Sequence, residues 1–498
     1  MIMEIIILIA YGTALTLILI YSIMQMTLVA KYLSFHKRNN SSDNLPIIEK
    51  PDKLPFVTIQ LPVYNELYVV NRLIESVAKL NYPKDKFEIQ LLDDSDDESV
   101  EVAAKKVKEI SEKGINISHI RRKDRTGFKA GALDYGLNIA RGELIAIFDA
   151  DFIPESDFLI KTVPHFDDSK VGVVQTKWGH INKKFSMLTE LQAFGLNAHF
   201  SVEQTGRNFG GYFINFNGTA GVWRKLCIVN AGGWEHDTLT EDLDLSYRAQ
   251  LKGWKFKYLE NVESPAELPV AMSALKNQQF RWNKGGAENF VKFFKTIMRA
   301  NIPLKNKIYG LFHLLNSSIF ILVLITSVLS VPVLFIKSYY LQYAFLFSVS
   351  SLFLICTLFL MIFYYVSYED KQKNLFLSLG KFIGKFFLFL SFSMGLSLHN
   401  SVAVIEGYLG KKSSFIRTPK FNVISGLDKW KNNKYLKQKI DMITIFEGIL
   451  ALYFLSGVIS AYLLHEKGLL PFHIMLTLGF GAVFYYSVFH ERRKAKKV

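Results

Sequence analysis

The motif Asp149-Ala150-Asp151 is a candidate for metal chemistry. It follows a short apolar run, and two carboxylates one residue apart at the end of a buried strand point to the same side of the chain. Their oxygens could hold a hard divalent cation, with substrate phosphates filling the other positions. Such a cation would neutralise the charge that grows on a diphosphate leaving group. The alternative is a pair of solvated turn residues ahead of Pro154, because this spacing alone is a weak signal.

Asp93 and Asp94 form a second acidic pair at the end of an apolar run. Donor groups on a nucleotide base would satisfy one of these carboxylates. The alternative is a helix start, since the residues from Ser95 to Glu98 fit a capping box. Capping accounts well for Ser95 and Glu98 but less well for the two aspartates.

Asp242, in the motif Thr240-Glu241-Asp242, is the candidate general base. A carboxylate there could accept the proton of an attacking hydroxyl. The alternative is a capping box from Thr238 to Glu241, which explains Glu241 because acids are favoured near a helix N-terminus. That explanation does not require Asp242.

A basic and aromatic pair, Arg281 and Trp282, comes just before a long apolar region. Trp282 offers a flat face to a sugar ring, and Arg281 can pair bidentately with phosphate. The alternative for both is an interfacial helix with snorkelling and aromatic-belt side chains. Lys129 is either an ordinary surface lysine or a contact to a diphosphate. Together with the acidic motifs, this arrangement suits an enzyme that handles a phosphate-bearing donor and a sugar acceptor.

Residues 56–270 alternate short apolar runs with helical patterns, which predicts an α/β domain. Helices such as Glu98–Lys113, followed by Gly114, lie between the runs. Alternation of this kind implies a Rossmann-like, mostly parallel sheet with helices on both faces. Ligands of such sheets bind beyond the carboxyl ends of the strands, where the four aspartates fall. The predicted strands are Phe56–Val63, Phe87–Leu92, Leu144–Phe148 and Val171–Thr176.

Apolar runs on both sides of this domain predict an integral, multi-pass membrane protein. Half of the residues are hydrophobic and 41 are Phe. The run at 5–30 exceeds the roughly 20 residues that cross a bilayer. Because Lys31, Lys37 and Arg38 follow it and basic flanks face the cytoplasm, we expect the α/β domain in the cytoplasm.

The chain divides into consecutive predicted segments. We expect the segment at 368–439 not to cross the membrane, because its uninterrupted apolar part, 386–398, is too short. Five spans also keep every large basic segment inside. The segments are a transmembrane helix at 1–38, a linker at 39–55, the α/β domain at 56–270, amphipathic interface helices at 271–311, two transmembrane helices at 312–367, interface or re-entrant helices with a loop at 368–439, and two transmembrane helices with a basic tail at 440–498.

Composition also bears on the partners. The net charge of +15 is explained mainly by basic membrane flanks and contact with anionic lipid, with an acidic substrate as the alternative. The sequence carries no nucleic-acid-binding motif, so nucleic acid is not an expected partner. A transporter with a bulky cytoplasmic domain is an alternative class. It leaves the acidic motifs unexplained, and apart from Glu447 the predicted spans lack the buried charges of a coupled transporter.

Taken together, the motifs resemble those of processive family 2 glycosyltransferases of the cellulose synthase-like group, most of all the mannan and glucomannan synthase-like branch. The combined set is specific for this group, whereas single motifs are not. Phe415-Ile416-Arg417-Thr418-Pro419-Lys420 also resembles the gating loop of that family, except that Arg417 stands where an apolar residue is common. The matching motifs at 56–285 are Leu61-Pro62-Val63-Tyr64-Asn65-Glu66, Asp93-Asp94-Ser95, Lys129-Ala130-Gly131, Asp149-Ala150-Asp151, Phe216-Asn217-Gly218-Thr219-Ala220-Gly221, Thr240-Glu241-Asp242 and Gln278-x-x-Arg281-Trp282.

The resemblance implies a GT-A fold for the cytosolic domain, which is inserted in an all-α transmembrane domain, and it implies a role for each motif. Asp149 and Asp151 would hold Mg²⁺ or Mn²⁺. Asp242 would be the catalytic base, with Glu241 beside it. The gating loop, with Phe415, Thr418 and Lys420, would close over the donor. Gln278, Arg281 and Trp282 would hold the acceptor and the diphosphate. The donor would contact Tyr64, Glu66, Asp93, Asp94, Lys129 and Asp149.

The implied activity is inverting, processive transfer of a hexose from UDP-glucose or GDP-mannose to a growing β-linked polysaccharide, coupled to its passage across a plasma or inner membrane. A non-processive transferase with a lipid-linked acceptor is the alternative. The donor sugar, the linkage and any accessory subunits stay open. Because only nine residues follow the last predicted span at 469–489, we expect no cyclic-nucleotide regulatory domain.

Overall fold

The structure is a computed structural model that describes residues 2–39, 54–369, 374–413, 415–423, 430, 433–436 and 440–490. It contains an α/β domain and a set of long apolar helices. Most of the predicted linker at 39–55 and the end of the predicted basic tail lie outside the described residues.

Within those residues, seven strands form one sheet in the order β3-β2-β1-β4-β6-β5-β7. Strand β6 runs antiparallel to both of its neighbours, and the other pairs are parallel. The prediction of a mostly parallel sheet is therefore confirmed. The last predicted strand continues past Thr176 to His180. The strands are β1 Val57–Val63, β2 Phe87–Asp93, β3 Ile117–Ile120, β4 Leu144–Ile147, β5 Val171–His180, β6 Gly221–Arg224 and β7 Lys255–Ala266.

Helices cover both faces of the sheet, and strand periodicity explains why. Successive side chains of a strand point to opposite faces. Along β4, Leu144 and Ala146 therefore join one buried apolar cluster, whereas Ile145 and Ile147 join another. The first cluster includes residues of α2 and α3, and the second includes residues of α4 and α9. The helices of this domain are α2 Val70–Val77, α3 Ser99–Glu112, α4 Phe128–Ile139, α5 Phe158–Thr162, α6 Met187–Ala198, α7 Gln204–Gly210, α8 Lys225–Asn230 and α9 Glu241–Leu251.

The two capping boxes offered as alternatives do not form. Helix α3 begins at Ser99 without a side-chain cap, because the hydroxyl of Ser95 accepts a hydrogen bond from the distant backbone N–H of Asn65 instead. Helix α9 likewise has no side-chain cap, and the hydroxyl of Thr238 donates to the carbonyl of Thr240. At the other end of α3, Gly114 adopts φ +78°, which fits its predicted role as the residue that ends this helix.

Among the described residues, the remaining helices include six stretches that are long and apolar enough to cross a membrane by length and composition. They are Ile2–Arg38, Asn316–Tyr339, Leu341–Val366, Leu375–Gly395, Met442–Leu463 and Leu470–His490. The fourth is one continuous helix, although we predicted interface or re-entrant helices there, so the number of crossings stays a prediction. The helices outside the α/β domain are α1 Ile2–Asn39, α10 Met272–Arg299, α11 Leu304–Leu314, α12 Ile319–Tyr339, α13 Ala344–Ser350, α14 Leu354–Val366, α15 Leu375–Gly395, α16 Ser397–Tyr408, α17 Met442–Leu463 and α18 Leu470–Tyr485.

Helix α10 connects the sheet domain to the apolar helices, since it packs against α9 on one side and against α16 on the other. Near its start, the ammonium of Lys276 lies 2.6 Å from a carboxylate oxygen of Glu447 in α17. Both side chains are buried, and removing one partner of such a pair would leave an uncompensated buried charge. The pair therefore links α10 to α17 through a buried contact.

Candidate active site

A cavity lies beyond the carboxyl ends of β1, β2 and β4. Its volume is about 180 Å³, and it is partly open to solvent. The chain reverses direction after each of these parallel strands, so residues that are far apart in sequence meet at one edge of the sheet. The lining includes every predicted site residue except Asp93, namely Tyr64, Glu66, Asp94, Lys129, Asp149, Asp151, Glu241, Asp242, Gln278, Arg281, Trp282, Phe415, Thr418 and Lys420.

Asp149 and Asp151 follow β4, and each pairs with a lysine. One oxygen of Asp149 lies 2.5 Å from the ammonium of Lys129, which also donates to the carbonyl of Gly218 at 2.9 Å. One oxygen of Asp151 lies 2.6 Å from the ammonium of Lys420. The second oxygen of each carboxylate stays free of these lysines. Two such oxygens at a cavity wall fit a hard divalent cation that takes its other ligands from phosphate or water.

A second acidic group lies outside the cavity. Glu235, Asp237 and Asp244 have ligand atoms within 4.8 Å of one another. The ammonium of Lys292 lies 2.7, 2.9 and 2.5 Å from these three carboxylates, respectively. Lys292 thus bridges the three carboxylates outside the cavity, whereas Asp149 and Asp151 line it, so we keep the metal prediction on those two residues.

At the end of β2, the two predicted aspartates differ in position. Asp94 lines the cavity and is held by the guanidinium of Arg122, whose Nε lies 2.9 Å from one carboxylate oxygen. Asp93 is buried behind the wall, where His119 Nε2 lies 2.7 Å from one of its oxygens. Burial acts to raise the pKa of Asp93, but hydrogen bonds from His119 and Ser95 outweigh it and lower the pKa. The structure thus places Asp93 as a support for the wall and Asp94 within reach of a ligand.

The predicted gating loop crosses the cavity. Arg417 forms two hydrogen bonds of 2.9 Å to the carboxylate of Glu66. Burial raises the pKa of Glu66 to about 7, against the opposing effect of Arg417. The hydroxyl of Thr418 accepts a hydrogen bond of 2.9 Å from Arg281, and the ring of Phe415 lies 4.6 Å from the same guanidinium. Arg417, which stands where an apolar residue is common in the gating loops that this loop resembles, therefore holds the loop to the sheet domain.

Asp242 lies in the first turn of α9, at the wall formed by the segment around Gly218. A Cβ atom placed on Gly218 would meet a carboxylate oxygen of Asp242 at 3.0 Å, and Gly218 adopts φ +78°, so glycine suits this position. Burial and the nearby charge of Glu241 raise the pKa of Asp242 to about 7. Burial alone would lower the pKa of Lys129, but Asp149, Glu241 and Asp242 outweigh it and raise it. A carboxylate with a pKa near 7 is well suited to accept a proton at neutral pH.

Helix α10 supplies the far side of the cavity. Gln278, Arg281 and Trp282 are three and four residues apart, and this spacing puts them on one face of a helix. The ring of Trp282 lies 6.3 Å from that of Trp178, a cavity residue in β5 that the sequence analysis missed. Its place near the carboxyl end of β5 could have identified Trp178, but the predicted strand ended at Thr176 and did not include it.

The sheet order and the cavity at its carboxyl edge define a GT-A fold. A solved structure with a similar fold is a mannosyltransferase from Pyrobaculum calidifontis in complex with GDP-Man and Mn²⁺. It has a TM-score of 0.51 and 16% sequence identity, and the match covers 79% of this chain and 100% of that one. At this identity the likeness concerns the fold alone.

The sequence itself assigns the family of the domain. Residues 55–285 match the family described as "Glycosyltransferase like family 2", and they are a glycosyltransferase domain of that family. A probable glucomannan 4-beta-mannosyltransferase of Oryza sativa subsp. japonica is 41% identical over 286 residues, which are 55% of this chain and 49% of the relative. A glucomannan 4-beta-mannosyltransferase of Cyamopsis tetragonoloba is 41% identical over 268 residues, 53% of this chain and 51% of the relative. The match spans about half the length of these relatives.

Proposed function

We propose that this protein is an inverting membrane glycosyltransferase that transfers a hexose from a nucleotide sugar to a growing β-linked polysaccharide. The observation that carries the proposal is the single cavity that holds Asp149, Asp151, Asp242, Arg281 and Trp282. The names of the two plant relatives describe mannosyl transfer to glucomannan, which favours GDP-mannose over UDP-glucose as the donor.

In the proposed reaction, Asp242 takes the proton of an acceptor hydroxyl as that oxygen attacks the anomeric carbon of the donor. The bond from that carbon to the diphosphate breaks, and the nucleoside diphosphate leaves. Lys129 and Arg281 offset the negative charge that develops on it. One displacement inverts the configuration, so an α-linked donor gives a β-linked product.

Asp149 and Asp151 would hold Mg²⁺ or Mn²⁺, and the cation would supply Lewis-acid stabilisation of the leaving diphosphate. The ammonium of Lys129 donates a hydrogen bond to one oxygen of Asp149, and that of Lys420 donates to one oxygen of Asp151. The chain thus already places positive charge where a diphosphate would bind. Positioning by these fixed groups accounts for much of the expected rate enhancement.

Processive synthesis and export of the polymer are the finer part of the proposal. The six long apolar helical stretches support a multi-pass protein, and Lys31, Lys37 and Arg38 after the first support a cytoplasmic catalytic domain in a plasma or inner membrane. Helix α10 brings the acceptor side of the cavity next to these helices. A growing chain could therefore pass from the cavity towards the bilayer.

The test is an incubation of the purified full-length protein with radiolabelled GDP-mannose or UDP-glucose, Mn²⁺ or Mg²⁺, and a manno-oligosaccharide. We expect a β-linked polymer from one donor, dependent on the divalent cation. A single added sugar on extractable lipid would favour the lipid-acceptor alternative instead. No transfer from any nucleotide sugar would overturn the proposal.

A further inference from the structure

Trp178, near the end of β5, forms an aromatic corner of the cavity together with Trp282. Their ring centroids are 6.3 Å apart and their planes are inclined by 54°. Trp282 comes from α10 and Trp178 from the sheet, so the corner is built where the sheet domain meets the helix that contacts the apolar helices. Inclined aromatic faces suit a sugar that stacks on one ring and touches the edge of the other.

The ring of Trp178 is held in place by two phenylalanines. It stacks on Phe200 at 4.8 Å and 29°, and it meets Phe152 edge-on at 5.2 Å and 72°. Phe152 directly follows Asp151, and Phe200 lies in the π-helical turn His199–Glu203, an irregularity that is frequent at functional sites. Trp178 therefore has a fixed position relative to Asp151, which lowers the ordering cost of binding a ligand.

The indole N–H of Trp178 is buried and has no hydrogen-bond partner within the described part of the chain. An indole can only donate, and an unpaired buried donor is costly. Trp223 and Trp234 carry unpaired indole N–H groups by the same criterion, but their side chains are buried in an apolar core away from the cavity. Trp178 differs because its side chain lines the cavity.

Three further donors at this cavity are unpaired among the described residues: the side-chain N–H of Asn217 and the Nε–H groups of Arg125 and Arg281. The amide oxygen of Asn217 accepts hydrogen bonds from Asn215 and Gln204, which leaves its N–H group free to donate. Several donors without acceptors point to a ligand rich in acceptor oxygens. A sugar with its hydroxyl groups has that chemistry.

We propose that Trp178 determines the specificity of the acceptor site. Its indole N–H donates a hydrogen bond to one hydroxyl oxygen of the terminal sugar of the acceptor glycan, while that sugar stacks on Trp282. This inference rests on the proposed function. The acceptor, rather than the nucleotide sugar, is the occupant because the ring neighbours of Trp178 are aromatic, whereas the groups suited to a diphosphate are charged.

The experiment compares purified wild-type protein with Trp178→Phe, which keeps the ring face and removes the N–H. Transfer from the active donor is measured against a series of manno-oligosaccharides, each lacking one hydroxyl on the terminal sugar. For Trp178→Phe we expect an acceptor KM about fivefold higher, the size of one neutral hydrogen bond. The donor KM and the acceptor-free hydrolysis of donor stay at wild-type values. Trp234→Phe loses the same group outside the cavity and should match wild type in every assay.

The decisive readout is non-additivity. One deoxy acceptor should raise the KM of wild type about fivefold and leave that of Trp178→Phe unchanged. Additive losses, a wild-type acceptor KM in Trp178→Phe, or a raised donor KM would each overturn the inference while leaving the proposed function intact. If wild type transfers no sugar at all, the proposed function fails and the inference with it. If Trp178→Phe does not fold, Trp178→His, which keeps a ring N–H, replaces it and should retain sensitivity to the same deoxy acceptor.

Discussion

Two groups of carboxylates in this protein hold lysine ammonium groups at similar distances but have different surroundings. Asp149 and Asp151 line the cavity and pair with lysines from two different elements, Lys129 of α4 and Lys420 of the loop. Glu235, Asp237 and Asp244 lie outside the cavity and share one lysine, Lys292 of α10. The second group is hereafter the Lys292 cluster. Acidity and lysine pairing are thus common to both, and only access to a ligand separates a candidate site from a structural contact.

The largest expected effect comes from Asp242, which shares the cavity with Asp149 and Asp151. Asp242→Asn removes the proton acceptor and should lower kcat by about 10²–10⁴-fold while the donor still binds. Asp237→Asn, in the Lys292 cluster, should leave kcat near wild type. Steady-state kinetics and calorimetric titration with the nucleoside diphosphate measure both properties. Near-normal turnover of Asp242→Asn would remove this residue from the role of base.

Neutralising Asp149 or Asp151 should affect turnover and Mn²⁺ binding, whereas neutralising a carboxylate of the Lys292 cluster should not. Asp149→Asn or Asp151→Asn takes away a proposed ligand of the cation, so we expect about 10²-fold lower turnover and weaker binding of Mn²⁺. The matched change Glu235→Gln in the Lys292 cluster should alter neither. Electron paramagnetic resonance of free Mn²⁺ gives the affinity. Equal losses in both groups would mean that the cavity is not where the cation binds.

The pH dependence tests the charge state of the cavity. The pKa of Asp242 is raised to about 7, so the carboxyl carries a proton below that pH and cannot accept another. We expect kcat/KM to fall as the pH drops through 7, to about a tenth of its plateau one pH unit below the pKa. Protonation of Glu66, whose pKa is also raised to about 7, would weaken its pairing with Arg417 in the same range. A flat profile between pH 5.5 and 8 would contradict this assignment.

The smallest effects are expected from replacing Lys420 and Lys292. The first change should alter Mn²⁺ binding, and the second should lower the stability of the fold. Lys420→Met frees an oxygen of the buried Asp151, so it should strengthen Mn²⁺ binding in the absence of donor, and bound Mn²⁺ should restore the stability that is lost with the lysine. Lys292→Met leaves three carboxylates close together, one of them the fully buried Asp244, and should destabilise the fold by about 2 kcal/mol. Arg248 still pairs with Asp244 and limits that loss. Calorimetry of both variants in detergent, with and without Mn²⁺, checks this contrast, and a Lys420→Met variant that Mn²⁺ does not stabilise would break it.

The sequence was sufficient to predict the strands that end at the cavity, because buried strands carry continuous apolar runs bounded by polar turns. It also identified the motifs whose side chains line the cavity. It missed contacts that depend on distant parts of the chain. Arg417 and Glu66 are 351 residues apart, and no local periodicity reports such a pair.

Contacts between distant parts of the chain also explain why a predicted helix cap does not form. Ser95 has the local spacing of a cap, but its hydroxyl accepts from Asn65, 30 residues earlier, because parallel β1 and β2 bring those strand ends together. Strand β6, which enters the sheet antiparallel between β4 and β5, was likewise absent from the prediction. Local patterns predict elements, whereas the partners of their polar side chains depend on the assembled sheet.

The most direct test of the central claim is the anomeric configuration of the first bond that the purified protein makes. Nuclear magnetic resonance of the product formed from α-linked GDP-mannose and a manno-oligosaccharide reports it. Direct displacement at this cavity, with Asp242 as the base, predicts a new β-linkage that forms with wild type and not with Asp242→Asn. A new α-linkage, or the same β-linkage at an undiminished rate from Asp242→Asn, would contradict it.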